Sequence, residues 1–262
     1  MEWWQLLLLI VGALIVLLLL RLPVAFAFMA VNIVGAIFLL GGTSGLEQLI
    51  RSIEGSLTSF TLTPIPFFIL MGEVMFQAGI APRLINALDK WIGQIPARLS
   101  LLAVGGGTAL STLTGASVAS ITMLGSTLLP EMEQRGYKRP MTIGPILGSG
   151  GLAVLIPPSA LGVLLASLGQ ISVGRFLLAI VVPGLLAAVL IALYIVVRGA
   201  MNPELAPRYE AETTSLAEKL KLTVMYILPL GLIVFLVIGL IILGVATPTE
   251  SAALGALGSF VL

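Results

Sequence analysis

The chain has 262 residues, 58% of them apolar and only 10% charged, with a net charge of +1 and neither cysteine nor histidine. A soluble domain carries about 25% charged residues, so this composition excludes a water-covered globule, leaves lipid as the covering, and gives no electrostatic case for a nucleic-acid partner. Without Cys or His there is no disulfide, thiolate, Ser-His dyad or imidazole-bearing zinc site, and with Asp89 as the one aspartate no paired aspartates; the chain does not read as an enzyme.

The first apolar run, 6–20, has only Glu2 before it, no basic segment, and no small-residue cleavage pattern after it. It reads as a retained span and not a signal peptide. A crossing helix needs about 20 mostly apolar residues. Spans are therefore expected over about 4–21, 23–40, 142–169, 174–198 and 222–243, with another from 245 onward. Arg21 and Pro23 divide the first long stretch, because a charge prefers the interface and proline breaks the helical ladder.

Two segments do not fit simple spans. Residues 52–78 hold Ser56-Leu57-Thr58-Ser59-Phe60-Thr61-Leu62-Thr63-Pro64-Ile65-Pro66 between two short helical pieces. That pattern predicts a re-entrant hairpin with its tip at 56–66, and a single kinked span is the alternative. Residues 99–130 are too long for one straight span. Their centre, Ser111-Thr112-Leu113-Thr114-Gly115-Ala116-Ser117-Val118-Ala119-Ser120, predicts a span broken by an unwound stretch. Hydroxyls bonding back within a continuous helix, or small residues allowing close packing, would look the same.

Between these lies an amphipathic helix over 80–95. Ile80, Leu84, Ile85, Leu88, Trp91, Ile92 and Ile95 share one face, and Arg83, Asn86, Asp89, Lys90 and Gln94 the other. It is expected to lie along the membrane surface with Trp91 at headgroup depth. Arg83, Lys90 and Arg98 put it on the cytoplasmic side. The 131–140 loop, with Arg135, Lys138 and Arg139, is equally basic yet belongs on the opposite side if 99–130 crosses once. The two signals conflict.

Residues 199–221 form a polar, solvated linker. After it the order of apolar run, proline and small-residue helix recurs, with Pro248 where Pro23 stood, as an internal transporter repeat would show. An apolar segment is still running at Phe260-Val261-Leu262. The expected organisation is a first repeat over 1–198, a linker over 199–221, and an incomplete second repeat over 222–262 of a longer protein.

Four motifs stand in order along the chain: Pro64-Ile65-Pro66-Phe67-Phe68-Ile69-Leu70-Met71-Gly72-Glu73; Leu129-Pro130-Glu131-Met132 with Arg135-Gly136-Tyr137; Ile156-Pro157-Pro158-Ser159; and Ala246-Thr247-Pro248-Thr249-Glu250. Together they resemble the large membrane subunit, DctM type, of tripartite ATP-independent periplasmic (TRAP) transporters. The resemblance implies an all-α polytopic inner-membrane protein built from inverted repeats, each with a re-entrant hairpin and a broken helix. It implies sodium-driven import of carboxylate-bearing solutes, of the dicarboxylate or sugar-acid class, with no cofactor beyond the coupling ion. The implied partners are a small four-helix membrane subunit and a periplasmic binding protein. Where the family carries Ser-Gly-Ser at the helix break, this chain has Thr114-Gly115-Ala116 followed by Ser117.

Sodium is a hard cation, and helix breaks supply it with carbonyl and hydroxyl oxygens. The candidate ligands are Ser59, Thr61 and Thr63 on one wall and Thr114, Gly115 and Ser117 on the other. Pro64, Pro66, Pro157, Pro158 and Ser159 are candidates for the substrate path; at 157–158 a hinge and a packing kink are equally open. Glu73 is expected as a buried acid, either a cation or proton site or a carboxylate tied to a helix end. Glu250 is expected as a helix N-terminal acid behind Thr247 and Pro248, or as part of a second ion site. The reading set against a transporter is a membrane scaffold whose polar breaks serve packing alone.

Overall fold

The computed structural model describes residues 2–93, 95–114, 117–207 and 215–261. Every regular element among them is helical. Lipid demands this of a chain so apolar, since each backbone N–H and C=O must find its partner within the segment. Two compact units divide the chain, Met1–Ser59 and Phe60–Leu262.

The first unit holds α1 (Trp3–Leu19), α2 (Val24–Leu39) and α3 (Thr43–Leu57). Helices α1 and α2 are apolar and pack on each other, and α2 packs on α3. The chain turns from α2 into α3 through Gly41 and Gly42, whose φ of 86° and 71° side chains rarely adopt. Gly45 then brings α3 directly against the Ala36 carbonyl, where a Cβ would collide.

The second unit opens with a 3-10 turn, Phe60–Leu62, leading into α4 (Pro64–Gln77) with a proline in its first turn. There follow α5 (Ile80–Ile92), α6 (Arg98–Thr114), α7 (Ser117–Gln134), α8 (Arg139–Leu155), α9 (Ala160–Leu168) and α10 (Val173–Met201). A 3-10 turn, Pro203–Leu205, then α11 (Leu216–Leu222), a π-helical turn (Thr223–Ile227), α12 (Leu228–Ile242) and α13 (Pro248–Val261) complete it. Among the described residues three helices are long and apolar enough to cross a membrane: Phe60–Gln77, Val173–Met201 and Leu216–Ile242. The pair α8 and α9, bent by 48°, makes a fourth if it is one span.

Local chemistry sets the turns. Helix α7 stops where Arg135-Gly136 permits a left-handed residue: Gly136 has φ 78°, its N–H bonds the Glu133 carbonyl, and Tyr137 N–H reaches back to the Met132 carbonyl. Helix α5 starts after Gly79 and ends at Gly93, both at positive φ. Its apolar stripe, including Leu84, Ile85 and Ala87, is buried, and α5 packs against α6 and the π-helical turn.

Residues 99–130 are not one broken span. Ser100, in the first turn of α6, donates to the Met141 carbonyl in the first turn of α8, and the Leu99 backbone N–H donates to the Tyr137 hydroxyl just beyond α7. The start of α6 and the end of α7 therefore sit at one end of the unit, and 98–134 doubles back as a helical hairpin. The expected single crossing fails because α7 packs alongside both α6 and α8 and does not extend α6. The 52–78 reading also changes. Its residues 56–59 belong to the first unit, while Phe60–Gln77 has the length and hydropathy of a full crossing, more than half a hairpin.

One end of the second unit gathers the basic residues. Gly199, near the end of α10, approaches Ala97 so closely that an added Cβ would stand 2.8 Å from its methyl. Lys138 N–H donates to the Leu205 carbonyl, and Trp91 Nε1–H to the Thr223 hydroxyl. Arg83, Lys90, Arg98, Arg135, Lys138, Arg139, Arg198, Lys219 and Lys221 thus share the end that carries α5 and the hairpin's base. Arg175 alone lies at the other end among the unit's described basic residues.

Candidate functional site

Two helix interruptions lie in the second unit: one between α6 and α7, and the α8–α9 break at 156–159. Helices α6 and α8 run parallel, since Ser100 meets Met141, Gly107 faces Ser149, and the Ser111 hydroxyl donates to the Ser149 carbonyl at 3.3 Å. That register carries the end of α6 to the level of the last turns of α8. Returning, α7 lays Ser117 and Ile121 against Gly150; a methyl added at Gly150 would sit 3.3 Å from Ser117 Oγ and collide with Ile121. Gly107 and Gly150 make this three-helix approach possible, as small residues do where lipid supplies no hydrophobic drive.

The break frees backbone groups. Ile156 N–H makes the last helical bond, to the Leu152 carbonyl. Pro157 and Pro158 have no N–H, so the carbonyls of Ala153 and Val154 lose the donors an uninterrupted helix would give them. The Pro157-Pro158 peptide is cis. Ser159, fully buried, caps α9 by accepting from Gly162 N–H at 3.0 Å. The N–H groups of Ala160 and Leu161 start α9 with no intrahelical acceptor, and the helix's positive end points into the break. Gly184 of α10 backs the site, where an added Cβ would lie 2.7 Å from the Leu155 carbonyl oxygen.

The buried polar residues here are hydroxyls: Ser111, Thr112, Ser120, Ser149 and Ser159. Thr112 donates to the Ala109 carbonyl and Ser149 to the Ile146 carbonyl. A hydroxyl that donates in this way keeps its oxygen lone pairs for a cation. No three acidic side chains cluster among the described residues; the oxygens beside the break are those of hydroxyls and carbonyls.

The structure places the expected residues unevenly. Pro157, Pro158 and Ser159 form the α8–α9 break, and Ser117 lies against Gly150, about two turns of α8 before it. Gly115 lies outside the described residues, as does the side chain of Thr114; the Thr114 backbone ends α6. The Thr61 hydroxyl lies 3.0 Å from that of Ser167, on the last turn of α9. It is thus separated from Ser159 by most of α9, about 12 Å of helix rise, and Thr63, Pro64 and Pro66 start α4 at that same end. Ser59 closes the first unit. Neither acid is buried, contrary to expectation. Glu73 is exposed on the side of α4 away from Phe68, Met71 and Met75, and accepts from Gln77 Nε2 at 2.7 Å. Glu250 is exposed in the first turn of α13, where its carboxylate accepts from the Thr247 backbone N–H and hydroxyl at 2.7 and 2.8 Å. That is a capping box, the helix-end role foreseen for it. Ser149 was missed by sequence reasoning; its signal is Gly148-Ser149-Gly150-Gly151, a run small enough to admit two neighbouring helices.

A helical hairpin packs along a bent helix pair, with buried hydroxyls and freed carbonyls beside the bend, and the described residues include three helices long and apolar enough to cross a membrane. This is the build of a multi-pass membrane protein of the secondary-transporter kind. The chain belongs to the DctM component family of tripartite ATP-independent periplasmic transporters, whose model matches residues 11–262. It is an inner-membrane protein accordingly. Over 247 residues it is 31% identical to the ectoine TRAP transporter large permease protein TeaC of Halomonas elongata, covering 93% of this chain and 56% of that one. Over 203 residues it is 34% identical to the C4-dicarboxylate TRAP transporter large permease protein DctM of Vibrio cholerae, covering 77% and 43%. It is also 32% identical over 139 residues to the isethionate TRAP transporter permease protein DctMQ of Oleidesulfovibrio alaskensis, covering 53% and 22%. The chain spans about half the length of the first two relatives.

Proposed function

We propose that this chain forms one ion-binding half of a permease subunit that imports carboxylate-bearing solutes with sodium. The supporting observation is the register of α6 and Ser117 against α8, which brings the end of α6 to the last turns of α8 just before the break at 156–159. Ser117 and the carbonyls of Ala153 and Val154 supply oxygens to replace sodium's water. The N-terminus of α9 supplies N–H groups and a positive dipole for a carboxylate. Thr61 and Thr63 are left out of this site, and Ser159 acts through its cap. The name C4-dicarboxylate carried by one relative supports the solute class. The partners are a small four-helix membrane subunit and a periplasmic binding protein, which the word tripartite in the family's description supports. The basic end is cytoplasmic, because Lys and Arg concentrate there. The hairpin enters the membrane from that side, and both basic segments that conflicted in the sequence fall on one face.

The test is sodium titration of solute uptake by the full-length permease reconstituted with both partners. Ser117→Ala and Thr114→Ala each raise the half-maximal sodium concentration by about tenfold, the loss of roughly 1.4 kcal/mol of binding. If neither moves it while the variants fold normally, the hydroxyls serve packing and the scaffold reading stands.

A further inference from the structure

At the basic end α5 lies along the α11–α12 junction, and two cations there sit over aromatic rings. The Arg83 guanidinium is 6.0 Å from the centre of the Tyr226 ring, and the Lys219 ammonium 5.8 Å from that of Trp91. Trp91 is pinned by its 2.8 Å bond to the Thr223 hydroxyl. Among the described residues neither cation has a carboxylate within ion-pair distance.

Beside Arg83 opens a pocket of about 210 Å³, whose other walls include Met75, Met225, Tyr226, Pro229 and Leu230. The π-helical turn Thr223–Ile227 carries Met225 and Tyr226 to it, and such turns widen a helix at sites that bind. Around the mouth Leu220, Val224, Met225 and Leu228 are exposed. A soluble anion would leave that apolar rim in water, whereas an acyl chain would cover it. The guanidinium fork matches phosphate oxygens, and aromatic rings under cations at headgroup depth suit the membrane interface.

We propose that this pocket holds the phosphate of an anionic phospholipid from the leaflet at the basic end, with Arg83 on the phosphate and Lys219 along the same junction. Basic pockets between helices at the cytoplasmic surface hold anionic headgroups in this way. Bound lipid would tie α5 to α12, joining parts of the chain on either side of the hairpin and α8–α10. The inference rests on the membrane-facing placement of this surface and not on the transported ion or solute.

The experiment titrates purified full chain, in neutral detergent, with acyl-labelled phosphatidylglycerol and separately with phosphatidylcholine. Wild type binds phosphatidylglycerol in preference, and excess inorganic phosphate leaves that binding unchanged. Arg83→Gln combined with Lys219→Gln weakens it by about tenfold or more, while Arg83→Lys combined with Lys219→Arg keeps most of it. Equal binding of the two lipids overturns the proposal. So does displacement by free phosphate, which would mark a soluble-anion site, and so does an equal loss in the charge-keeping variant. If the neutralised variant fails to fold, lipid preference in wild type and retention in the charge-keeping variant still decide.

Discussion

The hydroxyl of Ser100 donates to the carbonyl of Met141 at 2.5 Å, joining the first turn of α6 to the first turn of α8. Two helices whose first turns touch and that run parallel cannot be linked by a segment that simply continues onward. The 35 described residues that α6 and α7 contribute between them must go out and return. From this follow the hairpin, the depth of its tip, and the single basic face of the unit.

The base of that hairpin is held by charge. Arg98 Nε and Nη2 reach the Asp89 carboxylate at 2.8 Å each, and Nη2 also reaches the Asp89 carbonyl at 2.7 Å, with Arg98 buried. Removing one partner of a buried pair leaves the other uncompensated. Asp89→Asn lowers stability by about 3 kcal/mol, and Asp89→Leu with Arg98→Met recovers most of it. Thermal unfolding in detergent measures both; equal losses in the single and double variants would contradict this.

Close packing behind the break gives a matched pair of glycines. A methyl at Gly184 meets the Leu155 carbonyl oxygen at 2.7 Å, whereas one at Gly151 of α8 meets nothing within 4 Å. Gly184→Ala costs about 1–3 kcal/mol because helix α10 must move off the break. Gly151→Ala is neutral or stabilises by up to about 1 kcal/mol through helix propensity. The same unfolding assay ranks them.

Ser159 and Ser117 separate on different readouts. Ser159 accepts from Gly162 N–H, so Ser159→Ala removes a cap worth about 1 kcal/mol, whereas Ser159→Gly, which an N-cap tolerates, loses only a few tenths. Ser117 is proposed as an ion ligand, and its substitution is read in sodium dependence instead.

Tyr137 tests burial at the α7–α8 turn. Burial raises its pKa above the ordinary 10.0, the largest effect, against the lowering hydrogen bond from the Leu99 backbone. In the unfolded chain the phenol ionises first, so stability is complete below the unfolded pKa and falls as pH rises through it towards the folded one. Tyr137→Phe flattens this alkaline fall in a pH series of melting temperatures. An unchanged slope would mean the ring is solvated.

The sequence read well where one segment decides its own structure. The stripe of Leu84, Ile85 and Leu88 made α5 legible, and Pro157-Pro158 marked a break. Pairing between distant segments was not legible. The hydroxyls and prolines at 56–66 look as much like a hairpin tip as the hydroxyls and glycine at 111–120, because which segment doubles back is set by contacts such as Ser100 with Met141. Glu73 was taken as buried because a carboxylate in an apolar run is costly in lipid. Its neighbours show instead that α4 turns Phe68, Met71 and Met75 inward and Glu73 out. The positive-inside signal conflicted only because the hairpin was read as a crossing.

The most direct test uses the absence of native cysteine. Exposed Ile95 and Gln134 flank the hairpin before α6 and at the end of α7. Ile95→Cys and Gln134→Cys, each as the sole thiol of a full-length permease in which any cysteine outside these 262 residues is replaced by serine, are probed in oriented membrane vesicles with a membrane-impermeant thiol reagent. Both label from the cytoplasmic side and neither from the other if residues 98–134 enter and leave by the same face. Labelling from opposite sides would mean that this segment crosses the membrane, and the site built on its tip would fall with it.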